Sequence, residues 1–262
     1  MCLLDEMYNE YATYQFDSAM NVVATAQRLA KNVGDKELGY RYELRKIMLL
    51  AMAGYFTELN GMLESLPVAE FSPNLKLEYF KTAEWANICM ADFLDDGRYS
   101  QKYWERSGAF QDSILSIIPK ENIEYDFWKA SKMWGVSQSD SIVHNFMYVY
   151  ENVEPQNRLK AQAAYNLSVL YGMHGDYALQ REFLISATIA DERCLLKESA
   201  ALQELALALK NDGGEEERAN KYLALATEDA LFYGNRLRLL KISKKVPTIV
   251  MDYEQKLEKV ND

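Results

Sequence analysis

Histidine, the residue best suited to acid–base catalysis near neutral pH, occurs only twice in the 262 residues, as His144 and His174. Asp140 and His144 are four residues apart, and on a helix this spacing lets a carboxylate orient an imidazole base. No nucleophile lies at a defined spacing from this pair, and the sequence has no phosphate-binding glycine loop, nucleophile elbow or dinucleotide fingerprint. We therefore predict that the chain is not an enzyme. A hydrolase that uses Asp140 and His144 is kept only as a second alternative.

Metal and cofactor sites are also not predicted. The cysteines Cys2, Cys89 and Cys194 are odd in number and far apart, which fits neither a disulfide framework nor zinc-ligand spacing. The carboxylates at Asp95–Asp96 and Glu215–Glu217 lack the alternating ligand pattern of a calcium loop. Acidic residues of this kind are typical of a solvated loop and of the first turn of a helix. We expect no metal and no cofactor.

The charge and hydropathy of the chain limit its partners. A formal net charge of -10 repels phosphate backbones, so we expect no nucleic acid to bind through this segment. The richest basic cluster lies within residues 236–245, and we interpret it as the solvated face of a terminal helix. The longest apolar run, from Ile47 to Phe56, is about half of the ~18 residues that cross a bilayer. A membrane is therefore expected only through segments outside this sequence.

One helix-turn-helix unit is written twice between Gln162 and Tyr233. Large and small apolar residues alternate at helical spacing around a polar, glycine-containing turn, as in tetratricopeptide pairs. Equivalent positions are 38 or 39 residues apart, against about 34 in the standard repeat, and Gln180 stands where a small residue is usual. The pairs should therefore be long and irregular. The matched positions are Leu167 with Leu205, Ser168 with Ala206, Tyr171 with Leu209, Leu184 with Leu223 and Ala187 with Ala226.

This pattern extends to the rest of the chain and predicts the fold class. Glycine (12) and proline (5) are scarce, which favours long helices and leaves little material for the turns of a sheet. We predict an all-α, tetratricopeptide-like helical-hairpin solenoid of about seven irregular helix pairs over residues 1–234. Residues 235–262 should form a C-terminal capping helix, kinked at Pro247, that leads toward a linker.

The curvature of such a solenoid creates a concave surface on which aromatic and polar side chains can bind a ligand. The repeat spacing assigns one set of residues on the first helix of three pairs to this surface. The alternative is that the rings only fill gaps between crossing helices. The predicted binding residues are Phe127, Ser131, Trp134, Gln162, Tyr165, Val169, Gln203 and Lys210.

Several short motifs resemble a known family. They are Tyr14-Gln15-Phe16-Asp17-Ser18-Ala19, Ala53-Gly54-Tyr55-Phe56, Gln111-Asp112-Ser113-Ile114, Ala187-Thr188-Ile189-Ala190-Asp191, Lys197-Glu198, and Glu228-Asp229-Ala230 through Asn235-Arg236-Leu237-Arg238. With them, nearly the whole chain resembles the N-terminal, extracytoplasmic tetratricopeptide-repeat-like sensor region of Bacteroides-type membrane-bound regulatory proteins. The resemblance implies an exported helical-repeat region followed by a coiled-coil linker, one transmembrane helix and a cytoplasmic output domain. It implies no catalytic residue and no identified ligand.

The expected function is therefore that of a noncatalytic binding or sensing module, the extracytoplasmic region of a membrane-bound transcriptional regulator. The resemblance places it in the periplasmic part of an inner-membrane protein. The expected partner is a protein, a peptide or a small ligand such as an oligosaccharide, and a homodimer is left open. The first alternative is a constitutive scaffold for protein–protein interaction.

Overall fold

The computed structural model describes residues 3–134, 140–197, 200–211 and 214–244. The predicted turn at 135–139, part of the turn at 211–214 and the predicted kink at Pro247 lie outside the described residues. Within the described ranges the chain forms α-helices, one 3₁₀ turn at Val68–Glu70 and no strand. The helices are α1 (Leu3–Tyr11), α2 (Phe16–Val33), α3 (Lys36–Ala53), α4 (Phe56–Ser65), α5 (Pro73–Leu94), α6 (Gln101–Ile117), α7 (Ile123–Met133), α8 (Asp140–Asn152), α9 (Arg158–Met173), α10 (Tyr177–Arg193), α11 (Ala201–Asn211) and α12 (Glu216–Tyr233).

These helices pack as consecutive pairs, from α1 with α2 to α11 with α12. Adjacent pairs join through α2 on α3, α3 on α5, α6 on α7, α8 on α9 and α10 on α11. The all-α, tetratricopeptide-type prediction is confirmed. Six pairs are described, and residues 236–244, here called the C-terminal segment, continue helically after them.

Local sequence signals explain where the helices begin and end. The Ser72 side chain accepts a hydrogen bond of 3.3 Å from the Leu75 amide, and Pro73 occupies the first turn of α5, where its missing amide proton costs nothing. Helix α3 ends at Gly54, whose φ of 86° is a left-handed conformation that glycine adopts without a steric penalty. Its turn brings α4 back against α3.

The apolar core runs along the stack as several clusters. One cluster joins α3, α4 and α5 through Leu44, Ile47 and Leu59, and it includes Cys89 as a buried thiol. A second cluster joins α7, α8, α9 and α10 and includes Phe146 and Leu167. Because each cluster spans more than one pair, neighbouring pairs stabilise one another, as expected of a repeat architecture.

The two ends of the stack meet, and no sequence motif predicts this contact. The Lys197 amide donates a 2.8 Å hydrogen bond to the Thr13 carbonyl, and the Tyr14 and Phe232 rings lie 5.3 Å apart. The C-terminal segment then packs on the second and third pairs, with Leu237 buried in the cluster of α3, α4 and α5. Within the predicted capping helix, Leu237 is therefore covered by α3, α4 and α5.

The basic residues of the C-terminal segment have specific partners, which corrects their interpretation as a purely solvated face. Lys241 Nζ lies 2.6 Å from Asp92 Oδ2, and Lys244 Nζ lies 3.3 Å from Asp95 Oδ2. The Arg236 guanidinium lies 4.2 Å from the centroid of a tyrosine ring, that of Tyr55. The cluster thus attaches the C-terminal segment to the end of α5 and to the turn between α3 and α4.

Candidate functional site

A ladder of ion pairs connects the first helices of the first four pairs. Arg45 Nη1 of α3 lies 2.5 Å from Asp5 Oδ1 of α1. Arg41 of α3 faces Glu78 of α5 at 3.5 Å, and Lys81 of α5 pairs with Glu124 of α7. We call these residues the charge ladder: Asp5, Arg41, Arg45, Glu78, Lys81 and Glu124.

Helical spacing explains why these charges share one surface. Arg41 and Arg45 are four residues apart on α3, and Glu78 and Lys81 are three apart on α5, so each pair lies on one helix face. Each of the two central helices therefore presents charged groups to both of its neighbours. The alternating signs nearly cancel along the ladder, so it suits a ligand with hydrogen-bonding groups better than one with a high charge.

The α1 end of the ladder is held rigidly by aromatic rings. The Arg45 guanidinium carbon lies 4.7 Å from the ring centroid of Tyr8 and 4.6 Å from that of Tyr42. The Tyr42 hydroxyl donates a 3.0 Å hydrogen bond to Asp5, and the Tyr8 hydroxyl donates one of 3.3 Å to the Arg45 carbonyl. A guanidinium fixed between two rings needs little reorganisation when a ligand binds nearby.

Glu78 is the accessible carboxylate in the middle of the ladder. Burial raises its pKa, while the positive charges of Arg41 and Arg45 act in the opposite direction. Its side chain is nevertheless 44% exposed. A ligand can therefore reach a carboxylate that already has guanidinium neighbours, an arrangement that provides hydrogen-bond donors and an acceptor side by side.

Tyr165 of α9 marks a second polar region. Burial raises its pKa to about 12, and Glu204, Asp92 and Asp191 act in the same direction while Arg238 opposes them. These charges belong to α11, α5, α10 and the C-terminal segment. Tyr165 of α9 thus lies close to the C-terminal segment.

The structure places some of the predicted binding residues in the core and leaves the others half-buried. Phe127 is 7% exposed and lies 5.5 Å from Phe146, ring to ring, and Trp134 contacts the same ring at 5.9 Å. Gln203 is 1% exposed, and its Oε1 atom has no hydrogen-bond partner. The half-buried residues are Ser131, Trp134, Gln162, Tyr165, Val169 and Lys210. None of these residues is part of the charge ladder.

The charge ladder was not predicted from the sequence, although part of its signal is present there. Arg41 and Arg45, like Glu78 and Lys81, have one-face spacing on helices that also carry an apolar face. The sequence could not show that these faces would pair across helices, because the pairing depends on how α1, α3, α5 and α7 stack. The prediction was also limited to later pairs, where the repeat is clearest.

The two residues considered for catalysis lie on one helix. Asp140 and His144 both lie exposed on α8. In the part of the chain that the structure describes, no three His, Cys, Asp or Glu side chains are grouped so that they could hold a metal ion. Over the same residues, no helix combines the length and the apolar character needed to span a bilayer.

Comparison with known families supports the fold and gives its family. Residues 1–244 match the family described as the SusR N-terminal TPR domain, which covers all six helix pairs and the C-terminal segment. No curated protein matches the chain. The paired helices and the irregular repeats agree with this family match. The chain therefore belongs to the SusR N-terminal TPR domain family.

Proposed function

We propose that this domain is the noncatalytic, extracytoplasmic sensing region of a membrane-bound transcriptional regulator, located in the periplasm. The observation that carries the proposal is the match of residues 1–244 to the N-terminal domain of SusR-type regulators. Stacked helix pairs create the extended surfaces that repeat proteins use for binding. The ligand or partner of this domain is therefore expected to change the population of two arrangements of the domain.

The charge ladder is the proposed binding surface. It offers carboxylates, guanidinium groups and an ammonium group on four adjacent helices, with Glu78 and Glu124 more than one third exposed. Such groups bind the hydroxyls of an oligosaccharide or the backbone of a peptide through paired hydrogen bonds. The proposed partners are a small ligand of this kind, or a peptide or protein segment.

Helix α5 connects this surface to the end of the described chain. Glu78 and Lys81 lie in its first half, and Asp92 near its end pairs with Lys241. A ligand that shifts α5 would therefore act on the C-terminal segment. Coupling requires that the ligand favour one position of α5 over the other.

Thermal-shift screening with oligosaccharides and with short peptides tests the proposal. A ligand that binds only the folded state raises the melting temperature, and the stabilisation grows as the logarithm of one plus the ratio of the ligand concentration to Kd. We expect the shift to be lost in Glu78→Gln and retained in Lys132→Ala, which removes an ion pair with Asp112 outside the ladder. An equal shift in Glu78→Gln would place the site elsewhere, and no shift with any compound would favour a scaffold.

A constitutive scaffold is the second candidate, because large aromatic side chains are exposed near the turn between α5 and α6. Tyr99 is 59% exposed and Trp104 is 48% exposed. Exposed rings of this size are common at protein interfaces. A partner protein or a second copy of the chain that binds the wild type but not Trp104→Ala, without any small-ligand effect, would support this candidate.

A further inference from the structure

The contact between the two ends of the stack differs from the contacts between neighbouring pairs. Among the described helices, extensive helix-on-helix packing joins elements close in sequence, such as α2 with α3 and α10 with α11. Helix α12 instead meets the first pairs through a few side chains near its end. The Tyr233 hydroxyl donates a buried 2.7 Å hydrogen bond to the Ala12 carbonyl, and the Tyr233 and Phe16 rings lie 6.3 Å apart. We call this contact, including the C-terminal segment, the seam.

The C-terminal segment is a separate element attached to α12 by a hinge. Helix α12 ends at Gly234, whose φ is 84°. The Asn235 side chain then accepts a 3.0 Å hydrogen bond from the Arg238 amide and caps a new helical turn. The segment can therefore change direction relative to α12 at two residues without unwinding either helix.

The segment bridges the two sides of the seam with one apolar residue on each. Ile242 is buried beside Leu202 and Ala226 of the last pair. Leu237 is buried with Leu44 and other residues of α3, α4 and α5. The segment thus has an apolar contact with both sides of the seam. Its apolar contact with the first pairs depends on Leu237.

Two ion pairs complete the attachment to the first pairs, and both are accessible to solvent. The Lys241 and Asp92 side chains are 26% and 33% exposed, and those of Lys244 and Asp95 are 47% and 70% exposed. Ion pairs of this kind contribute little on their own and are weakened by salt. They set the position of the segment more than they strengthen its attachment.

At the α3–α4 turn the segment approaches the backbone closely. A methyl group at Gly54 would lie 3.4 Å from Arg236 Cβ and 3.5 Å from the Leu237 amide nitrogen. Both distances are ordinary van der Waals contacts, so the segment lies directly against the turn, and glycine is favoured at position 54 by its φ of 86°. This fit makes the docked position specific, while the small number of contacts leaves it separable from the helix pairs.

We propose that the seam is a two-state latch: the C-terminal segment docks on Gly54, Tyr55, Asp92 and Asp95 to close the stack, and releases them to open it. The six helix pairs stay folded in both states. Release exposes the apolar site of Leu237 and separates Lys241 from Asp92. The proposal does not depend on which ligand, if any, binds the charge ladder.

Distances between pairs of nitroxide labels test this latch. Cys2→Ser and Cys194→Ser remove competing thiols, and labels at Glu58 of α4 and Ser243 of the segment span the seam. A second protein carries labels at Asn220 of α12 and Ser243, on one side of it. Both label distances should be narrowly distributed in the otherwise unchanged chain.

In Leu237→Asp we expect the Glu58–Ser243 distance to become longer and broader, while the Asn220–Ser243 distance and the helical circular dichroism stay unchanged. The matched control is Leu225→Asp, which places the same charge at an exposed leucine of α12 and should change neither distance. Lys241→Asp should show a smaller shift across the seam, which Asp92→Lys reverses. An unchanged distance across the seam in both Leu237→Asp and Lys241→Asp, or loss of helical signal in Leu237→Asp, would overturn the latch.

Discussion

The Tyr233 hydroxyl donates a 2.7 Å hydrogen bond to the carbonyl of Ala12, and the two residues are 221 positions apart. Tyr233 is 1% exposed, so the bond lies in a region that water does not reach. A contact between positions so distant in the chain constrains the whole stack. It makes the stability of the first pair depend on that of the last.

Replacing this tyrosine measures that dependence. Tyr233→Phe keeps the ring but leaves the buried Ala12 carbonyl without its donor, which should lower the unfolding free energy by about 1–2 kcal/mol. Urea unfolding followed by circular dichroism gives the value. Tyr177→Phe removes a hydroxyl from a tyrosine that is 67% exposed and should change stability by less than about 0.5 kcal/mol. Equal effects of the two variants would show that the bond to Ala12 contributes nothing.

Gly54 allows a second, independent test of the contact between the C-terminal segment and the α3–α4 turn. Gly54→Ala places a side chain at a φ of 86° and against Arg236 Cβ, whereas Gly34→Ala meets a φ of 73° with no atom within 4 Å. The left-handed backbone should cost each variant about 1–2 kcal/mol. We expect the two variants to differ by less than about 0.5 kcal/mol, because the methyl group at position 54 meets Arg236 Cβ at 3.4 Å, an ordinary van der Waals distance, and need not displace the C-terminal segment. Urea midpoints compared at equal m-values give the difference, and a much lower midpoint for Gly54→Ala would mean that the C-terminal segment leaves no room for the methyl group.

The sequence predicted the fold class because helix pairing is encoded locally. The small residues Ala187 and Ala226 and the turn at Gly175 give the repeat directly, and Ser72–Pro73 marks the start of α5. The seam could not be predicted in this way. It depends on the curvature accumulated over six pairs, and no local pattern reveals that Leu237 will reach Leu44.

The residues of the charge ladder were not predicted, and the sequence could not show which of the predicted binding residues would be buried, for a related reason. Tyr165 was assigned to the binding face from its register in α9, and the structure places it near Asp92 and Arg238. Phe127, assigned by the same reasoning, packs inside its own pair against Phe146. Residue type cannot distinguish these cases, because an aromatic ring suits either a core or a groove.

Glu84 is a buried carboxylate that should make the stability of the domain depend on pH. It is 3% exposed and accepts hydrogen bonds of 2.9 Å from Gln111 and 3.2 Å from Ser107, across the α5–α6 contact. Burial raises its pKa to about 7, while the bonds from Gln111 and Ser107 act in the opposite direction. The folded state therefore holds a proton that the unfolded state releases near its ordinary value of 4.5.

The sign of the effect follows from proton counting. Between pH 4.5 and about 7 the folded chain binds more protons than the unfolded chain at this group, so stability falls as pH rises through that window. Glu84→Gln should remove this decline and be more stable than the wild type at pH 8, by at most about 3 kcal/mol. Urea unfolding at pH 5 and pH 8 measures it, with Glu105→Gln as the exposed control on α6. A decline of the same size in Glu84→Gln would assign the pH dependence to other groups.

Gln180 stands where tetratricopeptide pairs have a small residue. The structure shows how the larger side chain is accommodated: a methyl group at Gly172 of α9 would lie 2.5 Å from Gln180 Nε2 on α10. The absence of a side chain at Gly172 thus provides the space that Gln180 needs and that a small residue at position 180 would not need. The two positions should therefore be coupled.

A double-mutant cycle tests this coupling. In a Gln180→Ala background, Gly172→Ala should stabilise the protein by about 0.5–1 kcal/mol, because alanine has the higher helix propensity and no longer meets a side chain. In the wild type the same change forces the Gln180 amide to move, so its gain should be smaller or reversed. Urea unfolding of the four proteins gives the interaction energy, expected within the range of about 0.5–3 kcal/mol for residues in contact. Additive effects would show that Gln180 leaves its place without cost and that Gly172 is not its partner.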